Sequence, residues 1–207
     1  MNRPLFQNIK GLTIAITGAN RGLGRALALA FDAAGAQLIL HARRSLSLEP
    51  VVAACSSRPV TVIGDLEDED LGDRLAGAAV GAYGRLDGLI LSAAALGPMT
   101  SLLETPSDVF SAVMRVNVDA QLRLSQAVTP VMQAQGKGLQ LWLTSGLGRF
   151  ALPGYGVYCA SKHAVEGLMK TVAVEHGDEG VLSVAIAPGM VQTEMLKKAQ
   201  GGADISM

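Results

Sequence analysis

Tyr158 and Lys162 lie four residues apart in the stretch GVYCASKHA, which runs from Gly156 to Ala164. If that stretch is helical, the two side chains lie one turn apart on the same face. An ammonium group beside a phenol favours the phenolate, so we expect a tyrosine pKa below its usual value of about 10. The pair could then exchange protons near neutral pH. An ordinary helix surface that carries both residues by chance is the alternative.

A serine that follows an apolar run is the second candidate for chemistry. Ser145 ends the run LQLWLTS, residues 139–145, and lies thirteen residues before Tyr158. If the run is a strand of a parallel sheet, Ser145 lies at the carboxyl edge, where doubly wound folds bind ligands. Its hydroxyl could donate a hydrogen bond to a substrate carbonyl and stabilise developing negative charge.

A glycine-rich stretch near the start of the chain could bind a phosphate group. It reads TGANRGLG, residues 17–24, with glycines at 18, 22 and 24, and it lies between an apolar run and a segment of helical period. Such glycines allow a tight turn and a close approach to a pyrophosphate at a helix N-terminus. The ending lacks the Gly-Lys-Ser/Thr of a P-loop. A dinucleotide-binding turn is therefore favoured over a β–α turn without a ligand.

The residues after the second apolar run indicate which dinucleotide is bound. They read HARR, residues 41–44, without the carboxylate that usually holds the ribose hydroxyls of NAD. Arg43 or Arg44 could instead pair with a 2′-phosphate, and Arg21 adds a positive charge nearby. The alternative is that these arginines are solvated loop residues. NADP(H) is favoured over NAD(H), which remains possible.

The elements that must position these residues follow from an alternation of short apolar runs and longer segments of helical period. The predicted strands are residues 12–17, 37–42, 60–65, 86–92, 139–145 and 181–188, and the predicted helices are residues 21–34, 46–56, 67–83, 107–135 and 154–176. Strands that are apolar on both faces and alternate with helices indicate a parallel sheet covered on both sides. We therefore predict one doubly wound α/β domain of Rossmann type over residues 1–207.

Composition excludes several other classes. Hydrophobic residues make up 49% of the chain and charged residues 17%, which indicates a buried core. A net charge of -1 gives no electrostatic basis for binding nucleic acid or a membrane. Cys55 and Cys159 are not spaced as metal ligands, and the acidic run at residues 65–70 is expected to be a solvated helix start. Without a signal peptide or a membrane span, a cytoplasmic protein is expected.

With these elements in this order, the sequence resembles the classical short-chain dehydrogenase/reductase family. The resemblance rests on TGANRGLG, on Asn117 in RVNVDA, on Ser145 in TSGLG and on Tyr158 with Lys162 in YCASK. In addition, PGMVQT, residues 188–193, is similar to the family's segment beside the nicotinamide. The matches extend over nearly the whole chain.

The resemblance implies a role for each of four residues. Tyr158 would transfer the proton, Ser145 would orient the substrate oxygen, and Lys162 would tune Tyr158 and bind the nicotinamide ribose. Asn117 would hold a water that links the lysine to solvent, although on its own it would be interpreted as a satisfied core amide. The expected cofactor contacts are Gly18, Asn20, Arg21, Gly22, Leu23, Gly24, Arg43, Arg44, Asp65, Leu66, Ser92, Ala93, Ala94, Tyr158, Lys162, Pro188, Gly189, Val191 and Thr193.

Two features depart from the family pattern. Family members usually have Asn-Asn-Ala-Gly after the fourth strand, whereas this chain has Ser92-Ala93-Ala94-Ala95 without side-chain amides. Family members also typically continue with a last helix and a seventh strand, so a shortened C-terminus is expected here. The site would then be unusually open or covered by another subunit. A homodimer or homotetramer formed through the helices at 107–135 and 154–176 is expected.

The leading hypothesis is an NADP(H)-dependent oxidoreductase that interconverts a carbonyl and an alcohol. The segments 96–100 and 147–155 are mostly apolar and small, which suggests a small apolar substrate. The alternative is an NADP(H)-binding regulator or redox sensor on the same fold, with little or no catalytic activity. It is favoured by the Ser-Ala-Ala-Ala stretch and the short C-terminus.

Overall fold

A six-stranded parallel sheet forms the centre of the protein. The computed structural model describes residues 9–199, and the strands are β1 (Thr13–Ile16), β2 (Gln37–Ala42), β3 (Val60–Ile63), β4 (Gly88–Leu91), β5 (Gly138–Leu143) and β6 (Val181–Ile186). Their order in the sheet is β3-β2-β1-β4-β5-β6, and all neighbours are parallel. This is the doubly wound Rossmann-type α/β fold that the alternation of apolar runs and helices predicts.

Helices cover the sheet, because strands that are apolar on both faces must be buried on both sides. The helices are α1 (Gly22–Ala33), α2 (Glu49–Ala54), α3 (Leu71–Tyr83), α4 (Ser107–Met114), α5 (Ala120–Ala134), α6 (Gly156–His176) and α7 (Glu194–Ala199). One face of the sheet packs against α3, α5 and α6 around Trp142, and the other packs against α1 and α2 around Leu38 and Leu40. These two hydrophobic clusters, one on each face, hold the sheet in place, and the sheet in turn fixes where the strand ends lie.

The strand order reverses between β1 and β4. The chain winds outward from β1 through β2 to β3, and then returns to the other side of β1 to form β4, β5 and β6. Because every strand is parallel, all six carboxyl ends lie at one edge of the sheet. In folds of this kind, ligands bind at that edge, at the point where the strand order reverses.

The predicted helix over residues 107–135 is interrupted. A π-helical turn, Arg115–Asp119, separates α4 from α5 and contains Asn117. Such turns insert an extra residue in the helical ladder and often occur at functional sites. Helical periodicity over residues 107–135 predicts one continuous helix and does not show where a single residue is inserted.

Helices α3 and α7 also differ from the prediction. Helix α3 begins at Leu71 rather than near residue 67, because the acidic run before it forms a turn in which Asp68 Oδ2 accepts the Asp65 N–H at 3.0 Å. Helix α7 was not predicted. Its N-terminus is stabilised by Thr193, whose Oγ1 accepts the Leu196 N–H at 3.2 Å.

Strand β6 lies at the edge of the sheet and is covered on one face. Val181 and Ser183 are buried, whereas Leu182, Val184 and Ile186, on the other face, are exposed. In the part of the chain from residue 9 to 199, no helix has both the length and the apolar character needed to cross a membrane.

Candidate active site

The predicted site residues follow the carboxyl ends of all six strands. The glycine-rich turn follows β1, Arg43 and Arg44 follow β2, and Asp65 and Leu66 follow β3. The Ser-Ala-Ala-Ala loop follows β4, Ser145 lies two residues beyond β5, and residues 188–193 follow β6. The parallel sheet therefore brings segments that are far apart in sequence to one edge.

The glycine-rich turn has the backbone geometry that its glycines predict. Gly18 has a φ of +66°, in the region that favours glycine. A Cβ atom at Gly24 would collide with the carbonyl oxygen of Gly18, so the turn can be this tight only without a side chain there. The turn is attached to β2 by the Ala19 N–H, which donates to the His41 carbonyl at 2.9 Å.

The same turn is attached to the loop after β4. Thr17 Oγ1 accepts the backbone N–H groups of Ser92 and Ala93 at 3.0 and 3.2 Å. A Cβ atom at Gly18 would lie 3.0 Å from the Cβ of Ala93, so the turn and the loop are in van der Waals contact. The point of strand reversal is therefore formed by residues 17–18 and 92–93.

Residues after β6 approach the start of α1. A Cβ atom at Gly22 would lie 3.3 Å from the Cγ2 of Thr193, and Arg21 Nη1 forms an ion pair with Glu194 Oε2 at 3.0 Å. Arg21 and Thr193, both predicted cofactor contacts, are thus near each other. Arg21 is paired with a carboxylate rather than held ready for a phosphate.

The arginines after β2 are exposed. The side chain of Arg43 is 72% exposed and lies 4.0 Å from Asp65 in a loose ion pair. Arg44 is also exposed. Leu66 is buried in the core, and this leaves Asp65 as the more accessible of the two predicted contacts after β3.

Six further predicted cofactor contacts lie in the same segments. Asn20 and Leu23 are half-buried in the glycine-rich turn. Val191 is half-buried after β6, whereas Pro188 and Gly189 are exposed. Ala94 is half-buried in the loop after β4. Their cofactor contacts stay predictions.

Tyr158 and Lys162 lie in the first two turns of α6, as predicted. The Lys162 Nζ atom lies 5.5 Å from the centroid of the Tyr158 ring and donates to the Leu143 carbonyl at 2.6 Å. Lys162 is 2% exposed, whereas Tyr158 is partly exposed. The Leu143 carbonyl, at the end of β5, therefore holds the lysine ammonium in the protein interior beside the tyrosine ring.

The expected direction of the tyrosine pKa shift is wrong for this structure. Burial raises the pKa of the Tyr158 phenol to about 12, and it lowers the pKa of the Lys162 ammonium to about 8. Both shifts have the same cause, since loss of water disfavours the charged form of each group. The ammonium, 5.5 Å from the ring centroid, does not outweigh the desolvation of the phenolate, so the pKa of Tyr158 stays above its usual value. At neutral pH Tyr158 is protonated.

Ser145 begins a short 3₁₀ turn, Gly146–Gly148, and is half-buried. Its Oγ accepts the Leu147 N–H at 3.2 Å. This bond uses a lone pair, so the hydroxyl hydrogen can be donated to a substrate oxygen. The turn packs on α6, since a Cβ atom at Gly148 would lie 3.0 Å from the Lys162 carbonyl oxygen.

Asn117 is completely buried in the π-helical turn. Its Oδ1 accepts the Ala95 N–H at 2.7 Å, and its Nδ2 donates to the Ala95 carbonyl at 2.8 Å and to Ser161 Oγ at 2.9 Å. Both amide hydrogens of Asn117 are therefore used. A water held by Asn117 would have to donate to Oδ1 or to the backbone carbonyl oxygen. That Asn117 holds such a water, as the resemblance implies, stays a prediction.

The sequence interpretation missed two buried polar residues at this site. Ser161 lies between Asn117 and Tyr158, and Gln121 lies one helical turn after Asn117. Gln121 could have been found by its spacing, because a polar residue four positions after another shares its helix face. Within the described residues, no three His, Cys, Asp or Glu side chains are grouped as metal ligands would be.

The residues at the sheet edge fit a dinucleotide. The glycine-rich turn exposes backbone at the start of α1, where Arg21 and Gly22 are exposed, and its close contacts at Gly18 and Gly24 leave no room for side chains. A helix N-terminus reached through such a turn favours the negative charge of a pyrophosphate.

The sequence matches the short chain dehydrogenase family over residues 12–203. The chain therefore belongs to the short-chain dehydrogenase/reductase family and is an oxidoreductase of that family. Members of this family bind a nicotinamide cofactor and act on small molecules. The regulator hypothesis is not favoured.

Individual relatives are similar over most of the chain. The chain is 34% identical to the uncharacterized oxidoreductase Lmo0432 of Listeria monocytogenes, in an alignment that covers 91% of this chain and 78% of that protein. A short-chain dehydrogenase of Shigella flexneri, solved with NADP, has a TM-score of 0.88 and 31% identity, and the match covers 96% of this chain and 85% of the other. An NAD⁺-bound xylitol dehydrogenase has a TM-score of 0.84 and 25% identity, and the match covers 88% of this chain and 71% of the other.

Proposed function

We propose that this chain is an NADP(H)-dependent oxidoreductase that interconverts a carbonyl and an alcohol on a small apolar substrate. One observation carries the proposal: a fully buried lysine, Lys162, is held by the Leu143 carbonyl beside the partly exposed ring of Tyr158. An isolated buried ammonium is destabilising, so its retention beside a phenol is best explained by chemistry at that phenol.

In the reduction direction, Tyr158 is the proton donor. Its raised pKa of about 12 keeps the phenol protonated at neutral pH, and the nearby Lys162 ammonium stabilises the phenolate that forms when the proton leaves. Ser145 donates its hydroxyl hydrogen to the substrate oxygen and orients it. A nicotinamide cofactor, when bound, would supply the hydride in this direction.

Two arginines support the preference for NADP(H). Arg43 and Arg44 are exposed at the end of β2, with no carboxylate among residues 41–44. A guanidinium forms strong charge-assisted bonds with a phosphate. The NADP-bound structure of the Shigella flexneri relative is consistent with this preference, although the NAD⁺-bound relative has the same fold.

Exposed apolar side chains near Ser145 support an apolar substrate. A Cβ atom at Gly146 would lie 2.9 Å from the ring of Phe150, which is 54% exposed, and Leu152 is 47% exposed. The segment after Ser145 therefore offers exposed apolar side chains to a substrate.

A second copy of the chain is the proposed partner, in a homodimer or homotetramer. An open groove of about 360 Å³ lies on α4 and the π-helical turn, and its lining residues are Phe110, Ser111, Met114, Arg115, Val118 and Asp119. Light scattering coupled to gel filtration measures the oligomer size, and a monomer at all concentrations contradicts this part of the proposal.

The test of the proposed reaction is turnover of NADPH with a panel of apolar aldehydes and ketones. Tyr158→Phe should bind NADPH as wild type does and lose nearly all turnover. Tyr83→Phe, at the end of α3 on the opposite edge of the sheet, is the matched control and should keep it. Equal turnover by wild type and Tyr158→Phe would falsify the mechanism.

A further inference from the structure

Four buried polar residues recur along the π-helical turn and α5. Asn117, Gln121, Ser125 and Thr129 recur every fourth position, and all four are buried. This spacing places them on one helix face. Helix α5 packs against β4 and β5 and the π-helical turn packs against α6, so each residue must find its hydrogen-bond partners inside the protein.

Two of the four are satisfied by a closed network with β5. Ser125 Oγ donates to Gln140 Oε1 at 2.5 Å, and Gln140 Nε2 donates to Thr129 Oγ1 at 2.8 Å. Thr129 Oγ1 donates in turn to the Ser125 carbonyl at 2.7 Å. This network lies in the middle of the sheet, away from the carboxyl edge.

Gln121 differs from the other three. It is 1% exposed, and its Nε2 donates to the Ala93 carbonyl at 3.3 Å. Its Oε1 is buried and accepts no hydrogen bond from any residue in the described range. A buried acceptor without a partner is destabilising, and such groups occur where a site requires them.

The loop after β4 depends on outside residues for its backbone hydrogen bonds. Three of its four side chains, Ala93, Ala94 and Ala95, have no polar atoms. Thr17 accepts the first two N–H groups of the loop, and Asn117 binds both the N–H and the carbonyl of Ala95. Gln121 is the side chain that binds the Ala93 carbonyl.

We propose that Gln121 is a positioning residue that fixes the Ala93 peptide and, through it, the glycine-rich turn that would hold NADP(H). A Cβ atom at Gly18 would lie 3.0 Å from the Cβ of Ala93, so a displacement of the Ala93 peptide would be passed on to the turn. Because Gln121 is 1% exposed, this role acts through the Ala93 peptide and not through direct contact with substrate or cofactor. The predicted effect of Gln121 on NADP(H) affinity rests on the proposed function. Its predicted effect on the conformation of the loop after β4 does not.

The test uses two variants of the full chain that replace a buried glutamine with a methionine of similar size. Gln121→Met removes the bond to Ala93 together with the unpartnered oxygen. Gln140→Met is the matched control, because Gln140 is also completely buried but belongs to the closed network. Three quantities are measured: hydrogen exchange of residues 92–96 without cofactor, the Kd of NADPH by fluorescence, and the Tm.

Gln121→Met should speed exchange of the loop amides and raise the Kd and KM of NADPH about 3- to 10-fold, the effect of one hydrogen bond. Its kcat should change less than its KM, and its Tm should stay near the wild-type value or rise. Gln140→Met should lower the Tm and leave loop exchange and NADPH binding unchanged.

Three results separate the possible failures. Unchanged loop exchange and unchanged Kd in Gln121→Met overturn the positioning role. Equal weakening of NADPH binding by both variants also overturns it, because general destabilisation would then explain the effect. If wild type does not bind NADPH, the proposed function fails, and loop exchange alone decides whether Gln121 holds the loop.

Discussion

The side-chain amide of Asn117 donates to the hydroxyl of Ser161 at 2.9 Å, and both residues are completely buried. Ser161 Oγ then donates to the Tyr158 carbonyl at 2.8 Å. Since Asn117 also binds both polar backbone groups of Ala95, two side chains connect the loop after β4 to the first turn of α6. The backbone position of Tyr158 is thereby coupled to the loop that lines the proposed cofactor site.

Removal of the Ser161 hydroxyl should therefore destabilise the protein. In Ser161→Ala an amide hydrogen of Asn117 stays buried without its partner, which should lower the free energy of unfolding by about 1–2 kcal/mol. Urea unfolding measures this loss. The control is Thr171→Ala on the exposed side of α6, where we expect a change of at most about 0.5 kcal/mol. A Ser161→Ala protein as stable as this control contradicts the prediction.

The rate of carbonyl reduction should decrease as Lys162 loses its proton. Burial lowers the pKa of Lys162 to about 8, whereas Tyr158, with a pKa of about 12, stays protonated throughout the usual assay range. The ammonium that stabilises the phenolate is thus lost first. We expect kcat/KM for NADPH-dependent reduction to fall above pH 8. A pH profile of initial rates tests this, and a rate that is constant up to pH 10 contradicts it.

Lys162 should also make stability depend on pH. Its folded-state pKa of about 8 lies below the usual value of 10.5, so between these pH values the unfolded chain binds more protons. Wild-type stability should therefore rise with pH across this window, and the cost of the buried charge should be fully present below pH 8. Lys162→Met removes the charge and should be more stable than wild type at pH 7, by about 1–2 kcal/mol.

Urea unfolding at pH 7 and pH 9.5 checks both parts of this prediction. The difference between wild type and Lys162→Met should shrink at the higher pH. Lys170→Met on the same helix is the control, because the Lys170 side chain is 70% exposed and its removal should leave the pH dependence unchanged. If Lys162→Met is less stable than wild type at pH 7, the buried ammonium does not lower the free energy of unfolding as predicted.

Arg43 should contribute to the choice between the two nicotinamide cofactors. Arg43→Ala removes an exposed guanidinium that we expect to pair with the 2′-phosphate of NADP(H), so the Kd of NADPH should rise about tenfold. The Kd of NADH should change little. Fluorescence titration measures both constants. The control is Arg58→Ala, which lies before β3 at the opposite edge of the sheet, and equal losses for NADPH and NADH in Arg43→Ala rule out a phosphate contact.

The sequence predicts most of the fold because its signals are local and periodic. The glycine-rich turn, the six apolar runs and the helix that carries Tyr158 and Lys162 each follow from spacing within a short window. The family resemblance is confirmed for the same reason, since its motifs lie at the ends of those runs.

The features that were not predicted depend on contacts between distant residues. The apolar pattern of residues 107–135 predicts one continuous helix and does not show the single extra residue that the π-helical turn at Asn117 inserts. The pKa of Tyr158 is raised by burial of the phenol, and this burial is set by packing between segments that are far apart in sequence. Local spacing shows that the tyrosine and the lysine share a helix face, but it does not show their solvation.

The support of the loop after β4 by residues outside it affects how related sequences should be compared. Its conformation is maintained by Thr17, Asn117 and Gln121, which belong to three other segments of the chain. The loop itself can therefore change its residues during evolution and keep its shape, provided that these three partners are retained. A search that requires asparagines in the loop overlooks such sequences, whereas one that scores the three partners together finds them.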